Sequence, residues 1–276
     1  MIRFPEFEVI PAFFAADQLT ELNLLYQQIG ADAGKIVQQA QAAGGSLAAF
    51  YQRHPGLIVV PEKHAPERIC RMEYLSGSSA AFYQQVTLPI QQRLEALLGA
   101  ELALFKDKCN VKAPGGGAFP PHQDAPAYQH FGPSLFITAG IMLDDLSVEN
   151  GCLHMATNYR QVTPVRQCCA TPGGDYPLFN WYEGGARNGD IIDEVQHALT
   201  WQTITARAGD VLVFNSFIPH FSRANESQQY RRVLYLTFNL LSEGDHYQRY
   251  YQKKWQEYDN PQFHISTPTT HAALTR

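Results

Sequence analysis

The sequence predicts a mainly β fold, a barrel or jelly roll with a helical layer against it. Three observations carry this. Helical periodicity dominates the part before Gly99, strand-like runs bounded by Gly, Pro and Asn dominate the part after it, and aromatic residues reach 12%, with 14 Tyr and 16 Phe. Aromatic side chains at that level suit sheets and pocket walls rather than a disordered chain.

The helical part is read first. Leu19, Leu22, Leu25 and Tyr26 recur at helical spacing after Asp17, a capping residue, and Gly30 reads as the stop. Residues 31–57, rich in Ala, Gln and Gly, read as helix plus loop. A second helix is expected from Ser78 or Ser79 to Leu98, closed by Gly99, with a kink or break at Pro89. Beyond Gly99 the segments LALFKDKCNVK, SLFITAGIMLD, TWQTITA, DVLVFNSF and RRVLYLTFNL read as strands. In the first of these, Lys106, Lys108, Asn110 and Lys112 fall on one face, and Phe105, Cys109 and Val111 on the other. The run 114–117 and the triplet Glu149-Asn150-Gly151 read as turns, and 158–200 as a long excursion. One domain over residues 1–276 is expected, with a helical layer to about 100, a β core over 101–245 and an extension over 246–276.

Bulk properties exclude several classes. A formal charge of −5, without a basic run, argues against nucleic acid as partner. No run approaches the roughly 18–20 apolar residues of a membrane span, and the start MIRFPEFEVIPAFF lacks the apolar core of a signal peptide. The five cysteines form no C-x-x-C pair, which suits free thiols in a reducing, cytoplasmic setting and gives no thiolate metal site.

Chemistry concentrates in His122-Gln123-Asp124. On an extended segment, residues i and i+2 point to one side, so an imidazole and a carboxylate converge. A lone triplet of this kind is usually an ordinary polar pair. His220, delivered by the apolar run GDVLVFNSFIPH, supplies a third ligand and completes a face of two histidines and one carboxylate, the arrangement suited to non-haem iron(II). Arg231 follows eleven residues later, and an antiparallel return would bring it beside the pocket, where its guanidinium can grip a dicarboxylate end, with the Ser222 hydroxyl beside it. Arg232 next door points the other way and reads as a surface ion pair. Tyr128, Phe131, Trp181 and Tyr182 fall where they can roof the site, although packing is the better explanation of each.

The runs HQDAPAY, ENGCLHMA, GDVLVFNSFIPHFS and YRRVLYLTFN resemble the phytanoyl-CoA dioxygenase family across roughly residues 105–240. The resemblance implies a double-stranded β-helix, a jelly-roll or cupin-like variant. It implies an iron(II)- and 2-oxoglutarate-dependent dioxygenase that hydroxylates a small-molecule C–H bond with O2 and releases succinate and CO2. His122, Asp124 and His220 match the family's metal ligands, and Arg231 and Ser222 its 2-oxoglutarate contacts. Asp124 stands where related halogenases carry Gly or Ala, which argues for hydroxylation. Asn110 and Lys106 are expected to help hold 2-oxoglutarate, and Lys108, Tyr128 and Trp181 to meet an anionic or zwitterionic substrate. The stretch KDKCNVKAPGGGAFPPHQDAPAY is similar to bacterial members that hydroxylate aminoalkylphosphonates such as 2-aminoethylphosphonate, whose amine aromatic rings would hold. Two rivals are a non-catalytic jelly-roll binding module, which has no need of Arg231, and a hydrolase using the same His/Asp/His metal site, for which no H-E-x-x-H base is present.

Overall fold

A computed structural model describes residues 6–62 and 65–259. The first five residues of the start, and the part of the C-terminal extension beyond residue 259, lie outside them. In chain order the elements are β1 (Phe7–Ile10), α1 (Ala16–Ala42), α2 (Leu47–Tyr51), β2 (Ile58–Glu62), β3 (Ala65–Glu73), α3 (Leu75–Ser78), α4 (Ala80–Phe82), α5 (Leu88–Leu98), β4 (Leu102–Lys112) and β5 (Phe119–His122). There follow α6 (Ala125–Tyr128), β6 (Phe136–Met142), β7 (Leu153–Ala156), β8 (Gln167–Thr171), β9 (Gly174–Leu178), α7 (Asp193–Ala198), β10 (Trp201–Ile204), β11 (Val211–Asn215), β12 (His220–Ser222), β13 (Arg231–Leu240) and α8 (Tyr247–Gln256).

Two antiparallel sheets face each other. The larger runs β1-β11-β6-β13-β4-β3-β2 and the smaller β10-β7-β12-β5, with β8 and β9 as a separate hairpin. This is the jelly-roll-like core, and its interior strand β6 is buried at every position. Gly140 of β6 lies opposite Tyr235 of β13, and a methyl group there would sit 3.2 Å from the Tyr235 ring, so glycine leaves that ring its room. Gly151, at φ +75° in the expected turn, passes so close to the Arg223 carbonyl that a side chain would collide with it.

The helical layer differs from expectation in two places, at Gly30 and at the sheet edge, and agrees at the second helix. Helix α1 runs through Gly30 to Ala42, because Ala33 and Ala40 continue the buried stripe of Leu22, Leu25 and Ile29. A glycine in mid-helix costs about 1 kcal/mol relative to alanine, and further burial offsets that. The second helix begins at the Ser79 cap and ends at Gly99, with a π-turn over Tyr83–Thr87 absorbing the disturbance just ahead of Pro89. The layer is also not purely helical: β2 and β3 extend the larger sheet beyond β4. The extension contributes α8, whose Tyr247, Tyr250, Tyr251, Lys254 and Trp255 are buried. The 158–200 excursion folds on itself as the β8–β9 hairpin and α7. Among the described residues no helix is long and apolar enough to cross a membrane, and no disulfide joins the cysteines.

Candidate metal centre

His122 closes β5 and His220 opens β12. The two strands pair so that these residues stand opposite each other, with ring centroids 4.2 Å apart. His220 thus begins a strand rather than ending one: β11 stops at Asn215, and a turn through Pro219 carries the chain to the other sheet. Asp124 is not extended either. It occupies the cap position of α6 in helical geometry (φ −77°, ψ −29°), and this turn at the strand end points its carboxylate toward both imidazoles. One ligand atom from each of the three residues lies within 4.8 Å of the others.

The hydrogen bonds fix which nitrogen faces inward. His122 Nδ1 is 2.7 Å from the Pro120 carbonyl and His220 Nδ1 is 3.1 Å from the Ile218 carbonyl. A carbonyl only accepts, so each Nδ1–H donates and each Nε2 keeps its lone pair for a metal. Burial, with His220 alongside, pushes His122 down to about 3, and burial lowers His220 as well, so both rings are neutral at pH 7. Burial works to raise Asp124, but His220, Lys108 and Lys106 outweigh it and hold the carboxyl at about 2, ionised. Two neutral imidazoles and one carboxylate are the donor set that a divalent transition metal takes.

The cavity beside the triad is lined by residues from both sheets and from α8. Arg231, the first residue of β13, is 1% exposed. It arrives on the larger sheet, paired with Lys112 of β4, and not through a hairpin with β12. Its Nη2 lies 3.5 Å from the Tyr235 hydroxyl, while its Nε has no hydrogen-bond partner. A buried guanidinium N–H left unmatched is costly and implies an anion that completes it. Ser222 Oγ accepts from Lys112 Nζ at 2.9 Å, which leaves the serine O–H free to donate into the cavity. Asn110 lines the cavity with its side-chain oxygen unpartnered. The orphaned Nε, the free hydroxyl and the ligand set fit an iron(II) ion with a bound 2-oxo dicarboxylate.

Lys106 and Lys108 also line this space. Lys106 Nζ lies 4.2 Å from the centre of the Tyr128 ring, and Lys108 Nζ 5.5 Å from that of Tyr235. Burial, aided by Lys108, presses Lys106 well below the ordinary lysine range, and burial lowers Lys108 too. Asp107 is not their partner: its carboxylate turns away to accept from the backbone of Leu75 and Ser76 and from the Tyr251 hydroxyl.

The structure does not bring Trp181 to this cavity. It bridges to Ile191 within the excursion, and its ring lies 3.9 Å beneath the Arg166 guanidinium. Tyr182 packs beside Arg187, and Phe131 is core against Phe105. Arg232 pairs outward with Asp144, at 2.6 Å.

Sequence reasoning overlooked an ionic cluster at the cavity's far wall. Glu73 of β3 is 1% exposed and meets Lys254 of α8 at 2.6 Å and Arg71 at 2.9 Å. The signal was present: Arg71 and Glu73 flank buried Met72 at strand spacing, and Lys254 interrupts an aromatic stripe one turn after Tyr250. Burial tends to raise Glu73, yet Lys254, Arg71 and Lys106 together hold it at about 2. Burial brings Lys254 down to about 8 against the pull of Glu73, so the pair is charged at pH 7. The folded carboxyl has the lower pKa, so its contribution is complete above about 4.5 and fades as pH falls toward 2. Glu73→Gln is expected to lose about 3–5 kcal/mol, because two buried cations lose their counter-charge. Urea unfolding at pH 7 measures the loss, and a fall below about 1 kcal/mol would show the cluster to be dispensable.

Comparison with known proteins gives concordant relatives. The chain is 37% identical over 188 residues to a methylphosphonate hydroxylase of Gimesia maris (68% of this chain, 65% of that one), and 34% identical over 162 residues to a 2-aminoethylphosphonate dioxygenase of an uncultured bacterium (59% and 55%). The aligned part thus spans less than two thirds of either relative. Among solved structures, iron-bound EctD from S. alaskensis superposes with TM-score 0.60 at 17% identity, covering 86% of this chain and 74% of that one. EvdO2 from Micromonospora carbonacea, complexed with 2-oxoglutarate, gives 0.59 at 16% identity, covering 85% and 86%. These likenesses establish the cupin-like, double-stranded β-helix fold. The phytanoyl-CoA dioxygenase profile matches residues 7–233, the stretch that carries every proposed metal ligand and Arg231, and the chain belongs to that family.

Proposed function

We propose that the protein is an iron(II)- and 2-oxoglutarate-dependent dioxygenase that hydroxylates a C–H bond of a small organophosphonate. One observation carries the reading: a buried arginine with an unmatched N–H shares a cavity with a His/Asp/His triad whose inward nitrogens are free. A binding module would not need the triad, and a hydrolase would not need the arginine.

His122, Asp124 and His220 would hold the metal on one face, leaving its other positions to ligands. Arg231 would bind the distal carboxylate of 2-oxoglutarate through two N–H groups, with the Ser222 hydroxyl as a third donor and Lys112 holding that hydroxyl in place. From the neighbouring strand Asn110 and Lys106 would help to complete the grip, and Lys108 and Tyr128, which line the same cavity, would meet the substrate. The chemistry supplied when iron(II) and 2-oxoglutarate bind is reduction of O2 coupled to decarboxylation, with one oxygen atom ending in succinate, the other in the product hydroxyl, and CO2 leaving. The protein orients the C–H bond and keeps water out. The methylphosphonate hydroxylase and the 2-aminoethylphosphonate dioxygenase that the chain resembles are named for phosphonate substrates, and this supports the substrate class.

The test is succinate formation from labelled 2-oxoglutarate by iron-loaded protein with ascorbate in air. Turnover stimulated by an added phosphonate is expected. Stoichiometric iron binding with no succinate under any condition would overturn the reading.

A further inference from the structure

Gln123 stands between two proposed metal ligands and is buried, yet its side chain does not line the cavity. Its amide is fully engaged elsewhere. The two N–H groups donate to the Pro177 carbonyl, at 2.9 Å, and to the Phe217 carbonyl, and Oε1 accepts from the Phe179 N–H at 2.9 Å. Pro177 and Phe179 belong to the end of β9, inside the 158–200 excursion. Phe217 belongs to the turn that carries the chain from β11 to His220.

Backbone bonds reinforce both junctions. The Ile191 N–H of the excursion donates to the Pro121 carbonyl at 2.9 Å, and the Ala125 N–H donates to the Ser216 carbonyl at 2.9 Å. The Tyr176 ring of β9 stacks on Phe217, with centroids 5.2 Å apart. The excursion, the His122–Asp124 segment and the turn before His220 therefore meet at one amide. Strand pairing alone holds these ligands less firmly, because β5 and β12 are short and their register shifts between His220 and Ser222. Ligand sites need side chains held close to the productive geometry by the packing and hydrogen bonds around them.

We infer that Gln123 is a positioning residue for the metal ligands, and that the 158–200 excursion acts through it as a rigid backing that holds the His122–Asp124 segment against the turn delivering His220. This rests on the proposed function for the metal site. Gln123 touches neither metal nor substrate. It fixes how far apart the ligands stand, so metal affinity is the property that reports it.

The experiment is a chelator-competition titration of the full-length protein with zinc(II), a redox-inert ion that takes histidine and carboxylate ligands. Gln123→Met keeps the length of the side chain and removes its donors. It is expected to bind zinc(II) at least about tenfold more weakly than the parent, and to gain less thermal stability from the ion. A clamp serving the fold alone would lower the melting temperature with and without zinc(II) by the same amount and leave the affinity unchanged, and that result overturns the inference. Hydrogen exchange on the unmutated protein supplies a second measurement, independent of how the variant folds. Zinc(II) is expected to slow exchange of the Phe179 and Ile191 amides by roughly tenfold or more, relative to α1, which lines no part of the cavity. Unchanged exchange at these amides, or equal slowing across the whole chain, overturns the inference. A parent protein that binds no metal overturns the proposed function together with it. Metal binding that depends on Gln123, without succinate formation by the iron-loaded protein, sinks the oxygenase reading alone.

Discussion

His220→Ala should abolish stoichiometric iron binding and lower turnover at least about 100-fold, because disturbing residues that merely support a metal ligand already costs 10–100-fold in affinity or activity. The argument is geometric. His220 faces His122 across the β5–β12 pair, and its Nδ1 is committed to the Ile218 carbonyl, so no other atom of the ring can serve and the backbone cannot supply a substitute. A facial site with one of three protein ligands removed keeps a bidentate remnant that water competes with readily. Burial alone does not explain the residue, because a core imidazole would not need a second imidazole 4.2 Å away and an ionised carboxylate beside both. Metal content after dialysis, with far-UV circular dichroism to show the fold intact, is the measurement. A folded His220→Ala protein that keeps one iron per chain and near-normal turnover would remove His220 from the ligand set.

The sequence disclosed those features that depend on local pattern. Strand period placed Lys106, Lys108 and Asn110 on one face of β4, and all three line the cavity. Capping chemistry marked Ser79 and Gly99 as helix ends. The His122–Asp124 pair was legible as a convergence, although the cause differs: the chain leaves the strand at His122, and the first turn of α6 aims the carboxylate. Pairings between distant segments were not legible. Arg71 and Glu73 lie on a hairpin some thirty residues before β4, and Lys254 lies on a helix beyond the last strand, yet packing brings them to one wall. No periodicity reports which edge of a sheet an early hairpin will join. Gly30 misled for the opposite reason. Its local helix penalty is real, but Ala33 and Ala40 bury beyond it and outweigh it. Trp181 misled because an aromatic ring in a long excursion carries no sign of which face it covers.

Arg231→Leu should raise the Michaelis constant for 2-oxoglutarate well over tenfold while leaving iron affinity nearly unchanged. The side chain is 1% exposed, and among the described residues its hydrogen-bonding is limited to a long contact with Tyr235. Its charge is therefore not satisfied by the protein alone. Removing one partner of a buried, hydrogen-bonded charge pair costs about 2–5 kcal/mol, equivalent to roughly 30-fold or more in affinity. A leucine roughly fills the inner part of the space and keeps the β13 register with Lys112, so the loss falls on binding more than on folding. Lysine is the sharper control. It restores a positive charge but not the forked pair of N–H groups, so Arg231→Lys should recover only part of the affinity. Anaerobic titration of the iron(II) protein with 2-oxoglutarate, followed by visible absorption, reads binding without turnover. If Arg231→Leu binds 2-oxoglutarate as the parent does, the unmatched Nε belongs to some other anion, and the 2-oxoglutarate end of the cavity has to be sought among Lys106, Lys108 and Asn110.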